Sequence, residues 1–97
     1  MGVAPTPQQS LAMAYARLRA VRDDIVTTEA YALEGLCADF THVLDDLQTA
    51  GFDLSAFKLD GGDRVEDRDG SMRVPSSVLG ARLDAVLVYL DLLAGLP

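Results

Sequence analysis

The chain has no tryptophan and no asparagine, and among its 97 residues cysteine, histidine, lysine and isoleucine occur once each. One cysteine excludes an internal disulfide and any all-cysteine zinc site. One histidine excludes a two- or three-histidine metal centre within a single chain. No run of 18 apolar residues occurs, and the longest, near 85–96, is broken by Asp91, so nothing is built to span a bilayer. Basic charge is also short: 8 Lys and Arg against 15 Asp and Glu give a net charge of −7. A field of that sign repels phosphates and anionic lipid heads, so neither nucleic acid nor a membrane surface is expected as a partner.

Residues 1–10 carry no basic start of the kind a secretory signal needs, and the free Cys37 fits a reducing compartment. The expected location is therefore cytoplasmic. A composition poor in Asn, Lys and Ile and rich in Ala, Leu, Asp, Val and Arg is what GC-rich codons produce, which points to a bacterial or phage source.

With 49% hydrophobic and 24% charged residues, the chain can build one small core. The pattern is all-α: a three-helix bundle, 1–97, preceded by a loose stretch at 1–6. Thr6-Pro7 reads as a hydroxyl cap followed by proline at the first helical position. Leu11, Ala14, Tyr15, Leu18, Val21 and Ile25 then recur at helical spacing, predicting helix 1 over 7–25. The β-branched run 25–28 interrupts it, and Thr27 is placed to cap helix 2 over 28–50. That helix carries Leu33, Leu36, Phe40, Val43, Leu44 and Leu47 and ends at Gly51. Leu11 and Leu47 lie in phase, so one unbroken helix over 7–50 is an alternative. Residues 51–75 form an irregular insert. Its Phe and Leu side chains can plug the core, and Gly61-Gly62 can turn a short hairpin between Lys58 and Val65. Val74-Pro75-Ser76-Ser77 opens helix 3, with a serine cap, over 76–94 before Gly95.

Helix 2 has an ordinary apolar arc of about 140°. Helix 3 is apolar over about 260°, marked only by Asp84 and Asp91. Two amphipathic neighbours cover about half of that, and the rest needs residues 51–75 or another chain. The expected contact face comprises Val78, Ala85, Val88, Tyr89 and Leu92 of helix 3, with Met13, Ala16 and Ala20 of helix 1 as a second candidate. Dimerisation would complete the bundle. The arginines of helix 1 either steer a partner or pair locally, Arg19 with Asp23.

Catalytic chemistry finds no footing. Asp39, His42 and Asp46 share a side of helix 2 and are the one weak metal candidate. Only a dimer could enrich that site, and no cofactor or enzymatic activity is expected. Cys37, beside Leu33, Phe40 and Leu44, reads as a buried structural thiol, turned about 140° from His42. Asp67-Arg68-Asp69-Gly70 lacks the ligands of a calcium loop at 65 and 76. Gly61-Gly62 lacks a phosphate-loop continuation, and no serine has a nucleophile-elbow context. Two functional classes remain. One is a small acidic interaction module, an adaptor that self-associates or docks through helix 3. The other is an acidic inhibitor or decoy, of antitoxin or anti-defence type, whose carboxylates cover a basic surface on a target protein.

Overall fold

A computed structural model describes residues 6–25 and 29–94, the side chain of Ala94 excepted. The protein is mostly helical with one small two-stranded sheet. Helix α1 spans Pro7–Asp24, α2 Glu34–Thr49 and α3 Ser76–Ala94; strands β1 (Val65–Glu66) and β2 (Met72–Arg73) pair antiparallel.

The start of α1 follows from its first four residues. The Thr6 hydroxyl accepts from the Gln9 N–H at 3.1 Å, and the Gln9 side chain accepts from the Thr6 N–H at 2.9 Å. This reciprocal cap satisfies two amide donors that the helix itself leaves bare, and Pro7 at the first helical position has no N–H to satisfy. Helix α1 then ends at Asp24, with Ile25 extended. Residues 29–33 are not helical, which removes the single long helix over 7–50.

Helix α2 begins at Glu34, six residues later than the sequence suggests, and without a side-chain cap. The cause is a long-range pairing. Tyr31 bridges Pro75, the Ala32 N–H donates to the Val74 carbonyl at 2.8 Å, and the Ser76 N–H donates to the Ala30 carbonyl at 3.0 Å. Residues 30–32 are thus extended and tied to the entrance of α3. The proposed cap Thr27 and the loose residues 1–5 lie outside the described residues. The far end of α2 closes as its glycine predicts. Gly51 has φ 101°, the Phe52 N–H donates to the Leu47 carbonyl, and the Gly51 N–H to the Gln48 carbonyl. That is a Schellman closure, which requires the left-handed residue only glycine adopts cheaply.

Helix α3 opens differently from the serine cap expected of it. The Pro75 carbonyl accepts the first helical bonds, from Val78 and Leu79, so Ser76 is the first helical residue. Because α2 and α3 both begin beside the 30–32/74–76 pairing, both run antiparallel to α1, which packs against each. The core comprises Leu11, Leu18 and Val21 of α1, Phe40, Val43, Leu44 and Leu47 of α2, and Leu79, Leu83, Val86 and Leu90 of α3.

The crossover 51–75 supplies the remaining core wall. Leu54 and Val74 are fully buried, and Phe52, Phe57 and Leu59 pack against the cluster. Its hairpin is not at Gly61-Gly62. Those glycines lie in a 3-10 turn, Gly61–Asp63, capped by the Asp60 carboxylate on the Gly62 N–H at 2.7 Å. The hairpin instead joins β1 to β2 through Asp67–Ser71. There the Asp67 carboxylate accepts from the N–H groups of Asp69 and Ser71, and Gly70 takes φ 80°.

A Cβ added at Gly51 would meet no atom within 4 Å, so the cost of a side chain there is backbone strain alone. Gly51→Ala should lower the unfolding free energy by about 1–2 kcal/mol, read as a drop in the urea midpoint at unchanged slope.

Candidate functional site

The apolar excess of α3 is mostly absorbed by its own chain. Leu79, Leu83, Val86, Leu87 and Leu90 are buried. The flank that two helices alone would leave bare is covered by the crossover. Phe57 stacks on Tyr89 with ring centroids 5.4 Å apart, and Arg82 donates to the Ala56 carbonyl and to both oxygens of Asp63. Tyr89 and Val78, expected on the contact face, are half-buried within the monomer. Phe57 of the crossover covers Tyr89, and Val78 packs against the core cluster.

What stays open is narrower. Ala81, Ala85, Val88 and Leu92 are all exposed, with Val88 at 60% and Leu92 at 74%. Their spacing of four, three and four residues is that of a coiled-coil seam, so the four side chains form one line along α3. One flank of that line carries Asp84 and Asp91, and the other carries Arg82 and Tyr89. Of the α1 candidates, Ala16 and Ala20 are exposed, whereas Met13, 60% exposed, stands at the rim of a groove between α1 and α2 lined by Pro7, Arg17, Val43, Leu47 and Thr49. Met13 does not join the α3 line.

The charged residues tie the elements together. Arg17 donates to Asp46 of α2 at 3.0 Å and Arg22 to Asp84 of α3 at 2.9 Å. Lys58 pairs with Asp45, Arg64 with Glu34 at 2.8 Å, and Arg82 with Asp63 at 3.0 Å. Arg73 lies over the Tyr31 ring, 5.6 Å from its centre. Arg19 makes no ion pair among the described residues, with Asp23 or otherwise: both side chains extend into solvent, where such a pair is worth only a few tenths of a kcal/mol. Ten carboxylates remain without an ion pair among the described residues, Asp23, Asp24, Asp39 and Asp91 included.

The metal candidate does not assemble. His42 lies 3.7 Å from Asp46, but Asp46 is drawn to Arg17, and Asp39 and His42 project into solvent. Among the described residues no group of three or more His, Cys, Asp or Glu side chains could hold a metal ion. Cys37 is 3% exposed, and burial, with Glu34 nearby, pushes its thiol above the ordinary value. No helix among the described residues is long and apolar enough to cross a membrane.

The Asp63–Arg82 clamp escaped the sequence reading. Asp63 has one readable signal, its place three residues after Asp60 in a turn, where its carboxylate accepts the Asp60 N–H at 2.9 Å. Its pairing with Arg82, 19 residues away, has no local signature. Comparison with protein-family models, curated proteins and solved structures gives no match for this chain.

Two outcomes follow from these environments. The folded thiol of Cys37 should react with Ellman's reagent far more slowly than in urea, with the rate tracking global unfolding. The Asp60 N–H and the Arg82 guanidinium hold the Asp63 carboxyl below its ordinary value. Its stabilising contribution is therefore complete above that ordinary value, near 4, and is lost as pH falls through the lower folded value. Asp63→Asn should lower stability at pH 7 and flatten the acid limb of a stability–pH curve between about pH 5 and 2.

Proposed function

We propose that this protein is a small interaction module that works by docking the exposed line of α3 against another helix. The observation that carries the reading is the pair Val88 and Leu92, large, apolar and open to water at coiled-coil spacing, on a helix whose other large apolar side chains are mostly covered. Burying that line returns roughly 25 cal/mol per Å² removed from water, set against the cost of association. Ala81 and Ala85 leave room for a close helix approach at one end of the line.

A second reading draws support from the ten unpaired carboxylates: an inhibitor whose acidic surface occupies a basic one on a target protein. Asp45, Asp46 and Asp63 do not serve it freely, because each already holds a cation of its own chain. The carboxylates open to such a target include Asp23, Asp24, Asp39 and Asp69. The first reading is preferred because it accounts for apolar exposure that charge alone leaves unexplained.

Sedimentation equilibrium of the full chain tests the docking face. Between roughly 10 μM and 1 mM, where small interfaces begin to associate, the mean mass should climb above the 10.4 kDa monomer. The climb should be steeper in high salt, which screens the repulsion between two chains of charge −7. Leu92→Glu should hold the mass at that of the monomer. A constant monomer mass in both proteins removes self-association from the reading.

A further inference from the structure

We infer that the α3 line is built for a cationic amphipathic helix of another protein, with self-pairing as its weaker use. The inference rests on the docking role proposed above and adds the chemistry of the occupant. Three features decide between a foreign helix and a second copy.

The first is the flank. Asp84 and Asp91 stand seven residues apart on the same side of the line, and Asp91 makes no ion pair among the described residues. Asp84 is already paired with Arg22, so two copies lying antiparallel along Ala81–Leu92 would set Asp91 against a flank whose cation is committed. Two parallel copies would set it against Arg82 and Tyr89, but Arg82 is already committed to Asp63 and the Ala56 carbonyl, and Tyr89 to Phe57. Neither orientation sets an uncommitted cation of α3 against Asp91, because Arg82 is the only one that helix carries. A helix with Lys or Arg beside its apolar seam offers one in either orientation.

The second is the whole-molecule charge. Five of the eight cations are spent inside the fold, and Arg73 lies over Tyr31, so the surface left to a partner is strongly acidic. Two such surfaces repel, and a cationic segment is steered toward either.

The third is size. Stable pairs of proteins bury about 800 Å² on each partner, and two large side chains with two alanines fall well short of that. A foreign helix buries no more apolar surface there, so what favours it is the flanking ion pairs, which a second copy lacks and which add to the contact and set its register. The taper of the line also specifies the seam of the occupant: large residues opposite Ala81 and Ala85, and small ones opposite Val88 and Leu92.

The test uses the full chain and two designed helical peptides of about 20 residues, long enough to hold a helix. Both carry the same tapered Leu/Ala seam. One has Lys along its flanks and the other Glu. Fluorescence anisotropy should show the Lys peptide binding at least about tenfold more tightly than the chain binds itself, with affinity falling as salt rises. Leu92→Glu should weaken it about tenfold or more, and Asp91→Lys should narrow its advantage over the Glu peptide. Circular dichroism and the urea midpoint check that both variants fold. If the Lys peptide binds no better than the Glu peptide, or its binding ignores Leu92→Glu, the inference fails. If that happens while Leu92→Glu still abolishes self-association, the docking reading stands and a second copy is the occupant. If Leu92→Glu alters neither measurement, both fall.

Discussion

The arrangement of this protein turns on one antiparallel bridge. Pairing residues 30–32 with 74–76 places the entrances of α2 and α3 side by side. Two consecutive helices that start at the same end must run in the same direction. The chain leaving α2 therefore has to travel back the length of that helix, about 24 Å for its 16 residues, before α3 begins. Residues 51–75 are that return path. A path of this length along a three-helix core cannot remain a solvated loop, because it lies over apolar surface that two neighbours leave uncovered. Leu54, Phe57 and Val74 turn inward for this reason, and the Asp63–Arg82 clamp fixes the path against α3. The two-stranded sheet is a by-product: β2 leads directly into Val74–Ser76, which the bridge anchors, so the short hairpin grows from a strand whose end is already fixed.

The same constraint explains what could be read from the sequence and what could not. Features set by neighbouring residues were legible. Thr6-Pro7 fixes the start of α1, Gly51 the end of α2, and the periodic Leu, Val and Phe positions the inward faces, except Leu33, which stands exposed just ahead of α2 because that helix starts late. Features set by distant partners were not. Glu29–Leu33 have acceptable helix character but are held out of α2 by Val74 and Ser76, more than 40 positions away. Gly61-Gly62 has the composition of a hairpin turn, yet the Asp60 side chain closes it locally into a 3-10 turn, and Asp67 with Gly70 takes the hairpin instead. Asp-x-Asp-Gly is itself good turn chemistry, so that position was open to a closer reading.

The candidate contact face shows the same division. The helical repeat of α3 located its apolar surplus correctly in sequence, but assigned too much of it to a partner. Tyr89 packs against Phe57 of the crossover and Val78 against the core, and what is left is the line through Val88 and Leu92, with Leu93 partly open beside it. Which part of an all-apolar helix stays exposed depends on the route of a segment whose own composition is irregular. That route follows from the bridge, and the bridge joins residues whose pairing leaves no periodic trace.

Charge follows topology as well. In sequence, α1 is the basic element, with Arg17, Arg19 and Arg22 and no acid before Asp23. In the fold it is also the shared neighbour of α2 and α3, and Arg17 and Arg22 reach one to each side, to Asp46 and Asp84. Exposed pairs of this kind contribute little to stability, a few tenths of a kcal/mol each. Their larger consequence is distributional. By drawing cations into the seams between helices, the bundle leaves its carboxylates as the dominant charge on the outside. Such a bias acts before contact, because the potential extends over a Debye length of about 8 Å at physiological salt while apolar contact acts only on touching. On the docking role proposed above, the apolar line of α3 sets where a helix lies, and the acidic exterior favours cationic helices over acidic ones.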